Sequence, residues 1–522
     1  MHRILHILIL SLLCCLAACS DDILTDAASQ PTCVLNDSDS FNLGVLLTGH
    51  STATQKLMIH NYNDGEIVLE SIRLRGGDSS IFRINVDGMA GTSFTNSDFL
   101  HIARGDSLYV LVEASFSGRQ AERDVRRTDY VDIQCNGQLR SVLLSVITRD
   151  VEEIHADTLR CDTIWQEGEI DKLLYGSLVI PEGVTFTIGP GVTLYLHDGA
   201  GIEVYGSLHI EGTQQKPVQL IGDRTDKIFD NLYYRDMSAQ WDGIHIHPGS
   251  TGNLLEYAEV RGMTTGITLR QDSTWTGFLR EPHEGQTPAD DPKRYAYGPD
   301  FLSDEHQQLI IRHSLIMNSD SSLIHAINGN MIVENSCLMN SAGALLELSG
   351  GAYDITHCTL ANYNFWATFR LADVVMRNYR IQPDTTAREP KVTIEYRHLS
   401  TPLYRCNLTN SIIYGNSGMD PNVKADYYHA KDFPSDSIFN YRLDHCLLHS
   451  TTGQDDDDCL SILWTEEPLY ELIDLPNYTV DPHLQSESPC IGKAEPRTLE
   501  RLPLDRDGKA RPATPALGCY EP

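Results

Sequence analysis

A step of 22 residues constrains this chain more than any other feature of its sequence. The pairs His313-Ser314, Asn335-Ser336 and His357-Cys358 stand 22 residues apart, and Asn318, Asn340 and Asn362 follow with the same step. A short β-prone run precedes each pair (Leu309-Ile310-Ile311, Met331-Ile332-Val333, Tyr353-Asp354-Ile355), and an apolar run follows it (Leu315-Ile316-Met317, Cys337-Leu338-Met339, Thr359-Leu360-Ala361). Each unit reads as strand, polar turn, strand. A unit this small cannot bury its apolar face alone, so similar units must stack and share a core. No helical pattern of about 10 to 15 residues separates the runs, which argues against crossover helices and for strands paired repeat on repeat.

These residues resemble the right-handed parallel β-helix (pectin-lyase-like) family, whose coils carry a ladder of Asn at one turn. The resemblance implies an all-β fold: a right-handed parallel β-helix solenoid over residues 151–522, with lateral insertion loops and a C-terminal cap. Asn335 and Asn410 read as ladder positions facing the interior, with His313, His357 and His445 at the same phase as turn residues rather than metal ligands. Tyr175-Gly176-Ser177-Leu178 recurs as Tyr205-Gly206-Ser207-Leu208, which predicts first coils longer than the later ones. Asp481 to Ile491 and Asp505 to Glu521 resemble the closing segment of secreted bacterial β-helix proteins. A stack of strands ends in unpaired edge, so a cap is expected there.

At the start, Met1-His2-Arg3 precedes an apolar run, Ile4 to Leu13, too short to span a bilayer, and then Leu16-Ala17-Ala18-Cys19. This resembles a bacterial lipoprotein signal. It implies a signal peptide at 1–18, a lipidated Cys19 and a flexible tether over 19–34, anchored because each buried CH₂ contributes roughly 0.8 kcal/mol. Ser20-Asp21-Asp22 resembles the acidic export tag of Bacteroidetes-type surface lipoproteins, which implies the outer membrane and its cell-surface face.

Residues 35–150 alternate in short β runs, among them Lys56 to His60, Ile67 to Leu74 and Leu139 to Ile147, parted by Asn63-Asp64-Gly65 and Asn136-Gly137 turns. That pattern predicts a β-sandwich. With Phe41-Asn42-Leu43-Gly44 before it and Ser80-Ile81-Phe82 after it, Asn61-Tyr62-Asn63-Asp64-Gly65 is similar to the Ig-like domains of the Hydin-related group. Such domains space or bind.

Over 522 residues, 40 Lys and Arg stand against 72 Asp and Glu, a net charge of −32. A surface this acidic repels nucleic-acid phosphate, so no nucleic-acid partner is expected. Of 13 cysteines, ten lie beyond the signal. Cys337, Cys358 and Cys446 recur beside the coil turn and read as core filling, and no Cys/His spacing predicts zinc.

Three interruptions break the rhythm. Tyr257 to His313 reads as two coils with a short insertion, His357 to Asn410 as one coil with a long insertion, and Asn410 to His445 as one coil with a short insertion. Insertions at one phase emerge on one side, so the loops at about Tyr363 to Arg405 and Ser417 to Tyr441 are expected side by side. Trp366 and Tyr396 from one, with Tyr427 and Tyr428 from the other, are the candidate ligand-binding residues, because aromatic faces stack on sugars. They equally suit loops that pack on the barrel. A β-helix hydrolase or lyase needs paired carboxylates, or a Ca²⁺ site with a base; the repeats show neither. Asp455 to Asp458 reads as a solvated turn, with a weak Ca²⁺ site as its alternative, and no cofactor is called for. Three functions stand side by side: a surface lipoprotein binding glycan or serving adhesion without catalysis, a polysaccharide lyase or glycoside hydrolase, and a purely structural surface protein. An acidic-plus-basic cluster beneath the insertions is expected of the enzyme, and a bare aromatic groove of the binder.

Overall fold

The computed structural model of the protein describes residues 34–35, 39–95, 100–168, 170–229, 232–271, 307–364, 371–388, 391–416, 418–427 and 438–522. Among these residues the fold is all-β, with short 3₁₀ turns as the helical elements. The chain divides into two compact units, Met1–Asp150 and Val151–Pro522.

The first unit has a five-stranded and a six-stranded sheet. Their pairings are antiparallel except that Ser40–Leu47 runs parallel to Gln138–Arg149. Alternation drives this arrangement: Ile67–Leu74 buries Ile67, Leu69, Ile72 and Leu74 while Val68 and Glu70 face water. The buried residues include Leu57, Ile59, Phe82, Val112, Val131, Ile133 and Val142, which form one core. In the turn motif singled out above, Asn61 is fully buried and works as a staple. Its amide donates to the carbonyls of Gly65 (2.9 Å) and Ile102 (2.8 Å), and its oxygen accepts from the Asn63 N–H (2.9 Å).

In the second unit, each repeat has three strands rather than two. Leu309–Arg312, Leu315–Ser319 and Ile324–Ile327 are followed by Asn330–Glu334, Cys337–Ser341 and Leu346–Ser349. Every strand pairs in parallel with its counterpart one repeat on: Leu309 with Met331, Leu315 with Cys337, Ile324 with Leu346. A ten-stranded and a fifteen-stranded sheet result. Between them the inward residues, such as Ile311, Ile316, Ile324, Leu338, Leu348 and Ile355, form one continuous core.

The repeat aligns Tyr257, His313, Asn335, His357, Asn410 and His445, whose φ values of 45° to 53° are all left-handed. Asn tolerates that region better than most residues. Each N–H crosses to the next repeat's carbonyl: Tyr257 to Arg312 (3.1 Å), His313 to Glu334 (3.1 Å), Asn335 to Thr356 (3.1 Å), His357 to Thr409 (3.0 Å). The side chains, however, do not face the interior. Asn335 donates to the Leu504 carbonyl (2.8 Å) and accepts from Arg511 (2.8 Å), and Asn410 accepts from the Glu495 N–H (2.6 Å). His357 meets Thr498 Oγ1 at 2.8 Å. The interior ladder belongs instead to the next residue. Ser314 Oγ accepts from the Ala258 N–H, Ser336 Oγ from Ser314 and Ser411 Oγ from Cys358, at 3.0 to 3.2 Å.

Three further expectations change. The segment read as a terminal cap runs along the outside of several repeats, touching Gln214, Asn335, His357 and Asn410. It covers an outward apolar strip that includes Cys337, Met339, Ala361 and Ile412. Cys337 therefore fills this outer cluster, whereas Cys358 and Cys446 fill the inner core. The first repeats are not drawn out as expected, since Phe186 pairs with Leu208 and Leu178 with Ile202, close to the later step. Val204 pairs with Ile180, which leaves Tyr205 out of phase with Tyr175. Finally, Leu254 pairs directly with Ile310, so Tyr257 to His313 is one repeat with a long insertion, not two.

Candidate functional site

The third strand of each repeat, missing from the two-strand reading, carries the most concentrated chemistry. Gly201–Val204, Trp241–Ile246, Ala258–Arg270, Ile324–Ile327, Leu346–Ser349, Val374–Arg377 and Val423–Asp426 pair side by side. Alternation turns Ile244, Ile267, Ile324, Leu346 and Val374 into the core. The other face presents a register row of Glu203, His245, Thr268, His325, Glu347, Val375 and Lys424. The regular step also relates Ile324-His325-Ala326 to Leu346-Glu347-Leu348, so this strand had a sequence signal, hidden by how short it is.

The three insertions all follow strands of this sheet. Residues 272–306 come after Ala258–Arg270, a hairpin of Tyr379–Arg388 and Lys391–Ser400 after Val374–Arg377, and 428–437 soon after Val423–Asp426. The second and third insertions thus start beside each other, and Tyr379 Oη donates to Asp426 Oδ2 at 2.8 Å. The loops expected at Tyr363 to Arg405 and Ser417 to Tyr441 had absorbed the two regular strands Val374–Arg377 and Val423–Asp426.

Two polar clusters occupy the face. In the first, His247 Nε2 lies 2.5 Å from Glu203 Oε2, while His245 lies 3.1 Å from Asp242 Oδ2 and 2.9 Å from Thr268 Oγ1. The Tyr205 ring stacks on His247 at 4.0 Å. Glu203, His245, His247 and Thr268 line a recess of ≈ 410 Å³ with Thr265, Arg270 and His325. In the second cluster, Arg377 Nη1 donates to Glu347 Oε1 (2.5 Å) and Ser322 Oγ to Glu347 Oε2 (2.7 Å). Arg377 Nε also lies 3.6 Å from Asp426 Oδ2, and Lys424 Nζ lies 3.3 Å from that oxygen.

Electrostatics follow from these contacts. Burial works to raise the Glu347 carboxyl, but His325, Arg377 and Ser322 together hold it below its usual value. Asp426 behaves alike: burial opposes, and Tyr379, Lys424 and Arg377 prevail and lower it. Burial lowers His325 despite Glu347, with Arg270 and Arg377 adding to the effect. At neutral pH the face therefore carries ionised carboxylates saturated by cations and hydroxyls beside a neutral imidazole. It offers many fixed donors and acceptors and little net charge.

Of the sequence-predicted residues, Tyr427 follows directly on Val423–Asp426, is 46% exposed, and sets its ring 5.5 Å from Phe439. Tyr396 lies in Lys391–Ser400 opposite Pro383. Trp366, Tyr428 and Cys19 fall outside the described residues. Asp455 and Asp456 tie down their own loop: Asp455 accepts from the Ser461 N–H (2.8 Å) and the Trp464 indole (3.0 Å), and Asp456 from the Cys459 N–H (2.8 Å). Among the described residues no group of three or more His, Cys, Asp or Glu is placed to hold a metal ion, and no helix is long and apolar enough to cross a membrane.

No protein-family model matches the chain, and no curated protein matches it. Among solved structures, it is similar to the CooA pilin subunit from enterotoxigenic Escherichia coli, at 13% identity and a TM-score of 0.15, over 23% of this chain and 99% of that one. It is also similar to a family 123 glycoside hydrolase from Clostridium perfringens, described for glycolipid glycan hydrolysis, at 11% identity and a TM-score of 0.15, over 24% of this chain and 26% of that one. At that TM-score neither carries an argument about fold or function.

Proposed function

We propose that the protein is a cell-surface lipoprotein anchored through Cys19, with an Ig-like β-sandwich followed by a right-handed parallel β-helix that binds glycan on the outward face of its third strands. The parallel pairing of strands about one repeat apart supports the β-helix, and the Leu16 to Cys19 motif supports the anchor. One observation carries the binding reading: the three insertions leave from one sheet, beside a row of polar side chains already held in place by one another. Sugar hydroxyls need fixed donors and acceptors with aromatic faces nearby, and Tyr427, Tyr379, Arg377 and the carboxylates supply both. A near-balanced local charge on so acidic a chain suits a neutral glycan better than a polyanion.

A second reading, hydrolysis, has a specific observation behind it. Glu347 and Asp426 flank one guanidinium, Arg377 Nη1 lying 2.5 Å from Glu347 Oε1 and Nε 3.6 Å from Asp426 Oδ2, so the two carboxyls stand no farther apart than the roughly 6.5 to 9.5 Å of inverting glycosidases. Against it, a general acid must hold a proton near working pH, and both carboxyls are lowered. A soluble form lacking residues 1–22, applied to an array of neutral glycans and assayed for new reducing ends, tests both readings. Binding without cleavage is expected. Cleavage would favour the hydrolase, and an array with no binder would leave the structural role alone.

A further inference from the structure

Cys337 opens the strand Cys337–Ser341, one residue past the interior ladder, so its side chain turns outward into the strip beneath the C-terminal segment. Cys519, at position 519 of 522, arrives on that strip from the far end of the chain. Its N–H donates to Thr359 Oγ1 at 3.1 Å and its sulfur lies 3.3 Å from the same oxygen, while Thr359 is the cross-strand partner of Cys337. Both cysteines are free thiols in this structure, both are 0% exposed, and both belong to the one outward cluster. The neighbouring Gly518 is fixed too, its N–H donating to the Asn410 carbonyl at 2.8 Å.

We propose that Cys337 and Cys519 form a disulfide that locks the C-terminal segment onto the repeats. Forming it breaks two S–H bonds and makes one S–S bond, releasing two protons and two electrons. A disulfide carrier of the cell envelope takes the electrons: the Cys519 thiolate attacks its disulfide, Cys337 then displaces the carrier from the mixed disulfide, and the carrier leaves as a dithiol. With both sulfurs buried after docking, exchange takes place before the segment settles. Access to that carrier rests on the exported address proposed above, whereas the pairing rests on this geometry alone. The link would close a loop from residue 337 to 519, and long loops gain most from closure because the unfolded chain loses most freedom. The segment it secures also holds the partners of Asn335, His357 and Asn410.

The test is peptide mapping after digestion without reduction, with free thiols alkylated in denaturant. A cross-linked peptide joining Cys337 to Cys519 is expected in protein purified from its membrane. The melting temperature should fall by a few degrees on reduction, and protease should then clip the C-terminal segment sooner. Cys519→Ser, which keeps a hydroxyl near Thr359, should melt like the reduced parent and lose the response to reductant. If that variant does not fold, the parent alone decides. Alkylated thiols at both positions after refolding with oxidised glutathione would overturn the pairing. Thiols in the cellular protein that glutathione does link would overturn the exported address instead.

Discussion

Asn335 holds a left-handed turn at φ 45° and gives both ends of its amide to the C-terminal segment. Asn335→Gly keeps the backbone at ease and removes the two hydrogen bonds, so it should cost about 1 to 3 kcal/mol. Asn335→Ala should cost about 1 kcal/mol more, since Ala must also enter the left-handed region. Chemical denaturation of the pair checks this, and a Gly variant as stable as the parent would show that the bonds contribute nothing. The regular step exposed the alignment of this position but not its direction, because its partners Leu504 and Arg511 lie near the far end of the chain. His483 is a second residue-scale test. The hydrogen bond to Asp507 raises its pKa to about 9 against burial, with Asp481 adding to the rise. A raised imidazole pKa stabilises the fold fully below about 6.5 and loses that contribution as pH climbs through about 9. The melting temperature should therefore fall between pH 7 and 10, and His483→Gln should flatten that fall. An identical slope in both proteins would contradict the role.

At the scale of elements, the first two strands of each repeat were legible because their apolar runs flank a recognisable turn. The third was not, because Ile324–Ile327 and Leu346–Ser349 are very short and the next counterpart, Val374–Arg377, comes later than the regular step would place it. The candidate face lies on those strands, so the sequence showed Tyr427 at its border but not the Glu347–Arg377–Asp426 cluster within it. Arg377 joins three neighbouring strands through that cluster. Arg377→Ala should destabilise the protein by about 1 to 3 kcal/mol, because Glu347 loses a charged hydrogen bond and two carboxylates lose their shared cation. The effect should shrink in the double variant Arg377→Ala with Glu347→Gln, which removes the stranded charge. A double variant no better than the single one would place the cost in lost packing instead.

For the whole molecule, the division at Asp150 separates a unit with an antiparallel core from one built by parallel stacking. The first was readable from alternation and Gly turns, while the lateral path of residues 481–521 was not, because only a finished stack has an outer strip to cover. The anchor proposal predicts that Cys19→Ala leaves the protein unlipidated and in the aqueous phase of a detergent partition, and continued partition with membranes would refute it. The central claim, that the third-strand face binds glycan, is tested most directly by titrating the strongest array ligand into three proteins: the parent, Tyr427→Ala and Glu211→Gln. Tyr427 is 46% exposed beside the face, and Glu211 ends a strand of the ten-stranded sheet. Loss of one stacking ring, about 1 to 1.5 kcal/mol, should weaken binding by Tyr427→Ala about tenfold with an unchanged melt, while Glu211→Gln binds like the parent. Equal affinity in all three, or a loss confined to Glu211→Gln, would contradict the assignment of this face.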